Sequence, residues 1–301
     1  MPRADEAETF EALRPKLTRI AYRMLGSLAE AEDIVQDAFL RWRRADRDEV
    51  AHPAAFLSRI VTRLCLDQLK SARARRESYI GFWLPEPLIE SAPQENAGEA
   101  EDVTMTLMLA LERLSPLERA AFLLHDVFDM PFAEVAAAIG RDEAACRQLA
   151  ARARGHVRLD RPRYPLKGDE GERIARVFFD AVALNDAAKL KALLAENVVA
   201  YADGGGKAPA HLNPIYGRDK VMRLMAGLAA KPGGAPRWLR AAVIDGLPGF
   251  IAFDRWGALQ TTALVIENGK VGAFYVMRNP DKLARLNRLV AAGQPSRTDL
   301  H

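Results

Sequence analysis

Cysteine and long apolar runs are the two features that this sequence most lacks. Its two cysteines, Cys65 and Cys146, lie far apart and form no CxxC pair. This pattern argues against a zinc site and against a disulfide scaffold, and it suits a reducing cytoplasm. No segment approaches the roughly 18 uninterrupted apolar residues of a spanning helix, and the polar opening MPRADEAETFEALRPK has no signal-peptide core. These absences predict a soluble, cytoplasmic protein without a membrane segment, and nothing in the composition implies a metal or cofactor.

A strong net charge is missing as well. The 43 basic and 40 acidic side chains leave a formal charge of +3, which is too small to indicate a nucleic-acid partner by itself. Any such indication must come from local clusters of charge. With 301 residues the chain is long enough for two or three domains.

Periodic apolar residues predict that the start of the chain is helical. From Glu6 to Arg76 they recur every three or four positions, the spacing of a one-sided helix. Ser27 with Glu30 resembles a capping box that opens a second helix, and Pro53 suits the first turn of a third.

The pattern changes twice further along the chain. Prolines and acids between residues 79 and 100 predict an extended linker. Helix resumes until about residue 159, and alternating apolar runs follow, with Asn268-Gly269 as a strong hairpin signal. The predicted boundaries are two all-α helical modules at 1–78 and 101–163, the linker between them, and an α+β domain at 169–301.

The second helical module contains a predicted helix-turn-helix. Phe132 to Ile139 gives a short amphipathic helix, Gly140 supplies a turn that tolerates positive φ, and Asp142 caps a second helix. In this motif the second helix enters the major groove of DNA. The side chains that we expect to face the groove or the phosphates are Arg141, Glu143, Arg147, Gln148, Arg152 and Arg154, followed by Arg158, Arg161 and Arg163.

A second basic helix lies in the first module. It carries Arg59, Arg63, Lys70, Arg73, Arg75 and Arg76 around a single acid, Asp67. Two basic helical modules joined by a linker suit a protein that spans two DNA elements. An ordinary packing corner and a solvated charged face remain alternative interpretations of the two segments.

The order of these segments resembles the extracytoplasmic-function (ECF) sigma factors, the minimal bacterial sigma factors of the sigma-70 family. Ala21 to Ala45 is similar to the family's region 2, His52 to Tyr79 to its −10 recognition and melting section, and Leu114 to Phe128 with the helix-turn-helix to region 4, which reads the −35 element. The resemblance implies partners in promoter DNA and in the β′ clamp and β flap of core RNA polymerase. By the same resemblance the core polymerase binding residues are Asp33, Gln36, Asp37, Phe39 and Trp42.

The C-terminal half resembles a SnoaL-like domain of the nuclear transport factor 2-like fold, fused as in a SigJ-type subgroup. Three strings carry this resemblance: Trp83, Leu84, Pro85, Glu86 and Pro87; Asp203, Gly204, Gly205, Gly206 and Lys207; and Asn279, Pro280, Asp281, Lys282 and Leu283. It implies regulation from within the chain and no separate anti-sigma protein. We expect the stiff WLPEP linker to present Trp83 to a surface that the glycines and a final helix from Pro280 to Ala291 form.

Two other functions stay open for the C-terminal domain. An enzyme of this fold would use a buried acid or base, for which Asp203, His211 and Asp254 are the candidates. A pocket that binds a small-molecule ligand would need only a concave apolar interior. The runner-up for the whole chain is a helix-turn-helix regulator that binds DNA without polymerase and carries a ligand-sensing or enzymatic domain.

Overall fold

The computed structural model describes residues 3–45, 50, 52–90, 104–157 and 168–292. They fall into two compact units, one drawn from Met1–Ser78 and Thr106–Arg161 and the other from Tyr79–Met105 and Pro162–His301. The described part of the predicted linker, residues 79–90, therefore packs as part of the C-terminal unit.

All the regular secondary structure described in the first unit is helical. Ser27 Oγ accepts the Glu30 backbone N–H at 3.3 Å where α2 begins, as its capping sequence predicts. Gly140 ends α6 in the left-handed conformation with φ of 68°, a turn that glycine adopts without a Cβ penalty. The helices are α1 (Arg3–Leu25), α2 (Leu28–Trp42), α3 (Pro53–Glu77), α4 (Met105–Leu111), α5 (Pro116–Phe122), a π-helical turn (Leu123–Val127), α6 (Phe132–Ile139) and α7 (Glu143–Val157).

Helices of both modules pack on one another within this unit. Arg119 of α5 is 3 % exposed and donates from Nη1 to the Met24 carbonyl at the end of α1, at 2.7 Å. Its Nε and Nη2 donate to the Leu111 carbonyl at 3.0 and 2.7 Å. Because these carbonyls end helices, the buried guanidinium satisfies acceptors that would otherwise lack partners. Both cysteines of this unit, Cys65 and Cys146, are buried and free.

The second unit is a mixed sheet with helices packed on it. The sheet order is β1-β4-β5-β6-β7-β2-β3, in which β2 and β7 are parallel and the other neighbours antiparallel. The strands are β1 (Ile89–Glu90), β2 (Leu194–Asp203), β3 (Ile215–Tyr216), β4 (Arg237–Ile244), β5 (Leu247–Phe253), β6 (Leu259–Glu267) and β7 (Lys270–Met277). The helices are α8 (Gly168–Ala183), α9 (Ala187–Leu193), α10 (Arg218–Ala229) and α11 (Ala284–Ala291).

The sequence predicted most of this unit but missed three of its elements. Asn268 and Gly269 have φ of 51° and 71°, as the predicted hairpin between β6 and β7 requires. The strand β1 was not predicted, because two residues after a proline-rich stretch carry no periodicity. The helix predicted from Pro280 begins instead at Ala284, after a turn in which the Leu283 N–H donates to the Asn279 carbonyl. The helix α10 and the strand β3 were missed as well.

Among the helices in the described ranges, none has the length and apolar character needed to cross a membrane.

Candidate functional site

The outer face of α2 carries the predicted polymerase-binding polar groups. Asp33, Gln36 and Asp37 are all exposed, and they lie three or four residues apart on one side of the helix. Leu40 extends the same face and is 41 % exposed, although the sequence did not single it out. An exposed leucine beside two carboxylates suits a protein-binding surface.

The two aromatic residues of the predicted polymerase-binding set, Phe39 and Trp42, are less exposed than its polar residues. Trp42 is 2 % exposed and its ring packs against Phe56 of α3 at 6.0 Å. Phe39 is half-buried, with its ring 4.8 Å from that of Phe10 in α1. Trp42 therefore belongs to the core that holds α2 in place, and only Phe39 lies near the surface.

The predicted −10 residues lie along α3. Arg63 donates from Nη2 to the Ala137 carbonyl at 3.1 Å and from Nε to the Ala138 carbonyl at 3.4 Å, near the end of α6. Arg59 stacks over Phe56 at 5.4 Å. Lys70 is exposed and pairs with Asp67 at 2.9 Å. Three further candidates, Arg73, Arg75 and Arg76, are in α3, and their side chains lie outside the described residues.

The start of α7 presents the predicted base-reading groups to solvent. Asp142 Oδ1 accepts the Ala145 N–H at 2.7 Å, so the predicted cap is present. Arg141, Arg147 and Gln148 are exposed, and Arg147 pairs with Glu143 at 2.6 Å. An exposed ion pair of this kind contributes little to stability.

The arginines at the end of α7 have intramolecular partners that the sequence did not indicate. Arg152 Nε contacts Glu118 at 2.9 Å, and Arg154 Nε contacts Asp126 at 2.6 Å. Hydrogen bonds from Ser115, and then from Arg152, lower the pKa of Glu118. These two arginines connect α7 to α5 and the π-helical turn. Arg158, Arg161 and Arg163 lie outside the described residues.

In the second unit the three strings that resemble SigJ-type sequences converge on one carboxylate, Asp203. It is fully buried and accepts four hydrogen bonds, which occupy the acceptor sites of a carboxylate. The donors are the Tyr79 hydroxyl at 2.6 Å, the Leu84 N–H at 2.9 Å, the Gly205 N–H at 2.9 Å and the Lys282 ammonium at 2.8 Å.

Lys282 occupies a site between the linker and the domain. Its ammonium lies 4.9 Å from the centre of the Tyr79 ring and 4.4 Å from that of Trp83, and it also donates to the Leu84 carbonyl. Aromatic faces attract a cation that has been taken from water. Burial, and then the hydrogen bond to Asp203, raise the pKa of Tyr79, because both disfavour a phenolate.

The glycines after Asp203 leave space for two other segments. A Cβ on Gly205 would lie 2.2 Å from Asn279 Nδ2, and a Cβ on Gly206 would lie 2.9 Å from Ile80. Both glycines have positive φ. The expectation that these glycines permit close approach of another segment agrees with this geometry. We call Asp203, Lys282, Tyr79, Leu84 and Asn279 the Asp203 node.

Other residues of the three strings surround the Asp203 node. Leu84, Pro85 and Leu283 are buried, whereas Glu86 and Pro87 are half-buried. Lys207 and Asp281 form an exposed ion pair at 2.5 Å. Two contributors escaped the sequence analysis, Tyr79 and Asp245. Asp245 receives the Leu88 N–H on Oδ2 at 3.2 Å and donates its own N–H to the Leu88 carbonyl.

A cavity of about 450 Å³ opens inside the second unit, between the sheet and its helices. Its apolar walls include Phe178, Phe250, Phe274 and Met225. The polar residues that also line it are Asp254, Arg278, Gln260, Thr262, His211, Asn185, Asp186, Lys231 and Arg255. A cavity of this volume, with a mostly apolar lining and some polar side chains, has the character of a small-molecule site.

The three acid–base candidates of the domain have different environments. Asp203 is saturated by its four donors, and Asp254 pairs with Arg278 while accepting the Trp256 and Ala258 N–H groups at 2.8 and 2.9 Å. Burial lowers the pKa of His211, whose Nδ1 lies 2.9 Å from the Asn213 carbonyl. Among the described residues no cluster of potential metal ligands occurs.

Comparison with known proteins agrees with these features. Residues 9–75 match the family model for sigma-70 region 2, and residues 104–157 match that for sigma-70 region 4. The ECF RNA polymerase sigma factor SigJ of Mycobacterium tuberculosis is 42% identical over 294 residues, which cover 92% of this chain and 93% of that protein. The probable ECF sigma factor SigI of the same organism is 31% identical over 288 residues, covering 94% and 97%. The crystal structure of SigJ superposes with a TM-score of 0.73 at 37% identity, over 92% of this chain and 98% of that one.

Proposed function

Because the chain belongs to the ECF RNA polymerase sigma factors, we propose that the exposed face of α2 binds core polymerase, that α3 and α7 read the promoter, and that the Asp203 node regulates both. As a sigma factor with regions 2 and 4 it acts in transcription initiation. Its partners are thus polymerase and promoter DNA, and we place its action in the cytoplasm. In this proposal the SnoaL-like C-terminal domain binds and regulates and carries out no reaction.

The observation that carries the promoter assignment is the helix-turn-helix with Arg141, Arg147 and Gln148 exposed at the start of α7. Arginine and glutamine are side chains that read guanine and adenine edges in the major groove. Region 4 is the match for the same residues. We therefore assign the −35 element to α7 and the −10 element to α3.

The contacts of Arg63 and Arg119 between the two helical modules suggest that the modules separate before the protein reads DNA. Each arginine of one module donates to carbonyls at a helix end of the other, Arg63 to α6 and Arg119 to α1. While Arg63 contacts α6, it has fewer donors free for a −10 base or phosphate. We propose that binding of α2 to core polymerase separates the modules and frees α3.

Run-off transcription with core polymerase tests the proposed function. The full chain should give promoter-specific transcripts, and Asp33→Arg/Asp37→Arg should abolish them by placing positive charge on the docking face. Glu8→Arg, an exposed acid of α1, is the matched control and should transcribe normally.

A second function is separated by the same experiment. Specific binding to duplex DNA without polymerase, together with no transcript from any variant, would identify a polymerase-independent regulator. Transcription that survives Asp33→Arg/Asp37→Arg while Glu8→Arg fails would refute the docking face.

In this proposal, a small-molecule ligand that regulates the sigma factor binds in the 450 Å³ cavity of the second unit. Its lining is mostly apolar with a smaller number of polar side chains, which is the composition of a binding pocket.

A further inference from the structure

An exposed arginine of α7 rests on an aromatic ring of the neighbouring helix α6. The guanidinium carbon of Arg147 lies 5.4 Å from the centre of the Phe132 ring, and Phe132 is the first residue of α6. Arg147 Nη2 also donates to Glu143 Oε2 at 2.6 Å, one turn earlier in α7. The Arg147 side chain is nevertheless 58% exposed, so its guanidinium stays accessible to DNA.

The Phe132 ring has a packed neighbour of its own in the π-helical turn. The centre of the His125 ring lies 3.8 Å from that of Phe132, with an angle of 32° between the two ring planes. His125 Nδ1 lies 2.9 Å from the Met130 carbonyl oxygen, and this contact sets the orientation of the imidazole. Both rings are half-buried. The ring that contacts Arg147 is therefore supported by the protein on part of its surface.

The helix that carries Arg147 is also held in place. Arg152 Nε contacts Glu118 of α5 at 2.9 Å, and Arg154 Nε contacts Asp126 of the π-helical turn at 2.6 Å. With the backbone of α7 fixed by these contacts, the conformation of the Arg147 side chain is what remains to be set. A free arginine side chain samples many rotamers, and ordering it on DNA costs entropy.

The contacts of Arg147 suit the reading of a base better than a contact with phosphate. A phosphate attracts any nearby cation, whatever its rotamer, and carries no sequence information. A guanine edge requires two N–H groups of one guanidinium in a fixed geometry, opposite O6 and N7. An aromatic ring orients a guanidinium without using its hydrogen-bond donors. The contact with Phe132 thus supplies the orientation that base reading requires.

We propose that Phe132 is a positioning residue that determines promoter specificity, because its ring holds Arg147 in the conformation that reads a guanine of the −35 element. This inference rests on the proposed function, in which α7 reads that element. Phe132 acts through Arg147 and contacts no base itself. Its removal therefore weakens the selection of one guanine and leaves the phosphate contacts and the other base preferences as they are.

Selection from a promoter library tests the inference on the holoenzyme. The full chain with core polymerase binds promoters whose −35 element is randomised, and sequencing of the bound DNA gives the base preference at each position. Arg147→Ala should abolish a preference for guanine at one position. Phe132→Leu should lower the same preference by about three- to fivefold, the value of an exposed contact between a cation and a ring. Phe132→Tyr keeps a ring and should retain the parent preference.

Further variants separate positioning from a loss of structure. Phe132→Met also lacks a ring and should match Phe132→Leu, while thermal unfolding shows that both chains are folded. Phe253→Leu is the matched control, because Arg237 stacks on Phe253 at 4.5 Å in the second unit, and it should select the parent sequence. Phe132→Leu/Arg147→Ala should bind the selected promoter no more weakly than Arg147→Ala does, because the ring has no arginine left to orient.

Several results would overturn the inference. They are an unchanged base preference in Arg147→Ala or in Phe132→Leu, a loss in Phe132→Tyr equal to that in Phe132→Leu, and a loss spread over all −35 positions. A preference for a base other than guanine at the position that Arg147 reads would also contradict it. A parent holoenzyme that selects no −35 sequence contradicts the proposed function and this inference with it. A parent that selects one without any effect of Phe132→Leu contradicts this inference alone.

Discussion

The Asp203 carboxylate and the Lys282 ammonium form an ion pair that the linker covers. The two side chains are 0 % and 15 % exposed, so the charge of either one is poorly solvated without the other. We expect Asp203→Asn to lower the free energy of unfolding of the second unit by about 3 kcal/mol, because it removes the carboxylate that balances the charge of a mostly buried ammonium. Urea unfolding measures this change. The control is Asp281→Asn, which removes an ion pair whose aspartate is 64% exposed and should cost less than about 1 kcal/mol.

Tyr79 makes the stability of the same unit depend on alkaline pH. Burial and Asp203 raise its pKa in the folded chain, whereas an unfolded tyrosine titrates near about 10. The folded state therefore keeps a proton that the unfolded state releases, and this stabilisation declines as the pH rises beyond about 10. In Tyr79→Phe the unfolding free energy should be about 1–2 kcal/mol lower at neutral pH and should decline less above pH 10. Parallel pH profiles of the two proteins would contradict this assignment.

At the scale of structural elements, the glycine loop between β2 and β3 holds two segments that are distant in sequence. Gly205→Ala places a Cβ 2.2 Å from Asn279 Nδ2 at a φ of 61°, so it should displace the turn before α11 and expose residues 79–90 to protease. Gly269→Ala is the matched control, because its φ is 71° and no atom lies within 4 Å of the new Cβ. It should cost only the backbone strain of about 1–2 kcal/mol and leave the linker protected. Equal cleavage of both variants would show that strain alone acts in the loop.

At the scale of the whole molecule, promoter affinity has to come from local charge, because the formal net charge is only +3. Arg141 is exposed, and its side chain donates to the carbonyl of its neighbour Gly140, a contact that leaves most of its guanidinium available to a DNA phosphate. In holoenzyme–promoter binding, Arg141→Ala should reduce the slope of log K against log salt by about 0.9. Arg223→Ala, at an exposed arginine of α10, should leave the slope unchanged. A normal slope for Arg141→Ala would remove this residue from the DNA interface.

The sequence by itself determined the features that depend on neighbours within one or two turns. Apolar spacing predicted α1 to α3, the Ser27 cap and Gly140 predicted helix boundaries, and Asn268-Gly269 predicted the hairpin. These signals are local, because a cap or a tight turn satisfies its own backbone groups. The resemblance of ordered motifs then pointed to an ECF sigma factor with a SnoaL-like domain, which the comparisons confirm.

Only the tertiary structure decided which distant groups meet. Tyr79 and Asp203 are 124 residues apart in sequence, and no periodicity links a phenol at a helix end to a carboxylate at a strand end. The same holds for Arg63, whose partners are helix carbonyls of the other module, and for Trp42, which belongs to the core. Such contacts arise because folding buries surfaces whose polar groups then need hydrogen-bond partners. The partner is the group that packing brings near, so the sequence around either residue does not indicate it.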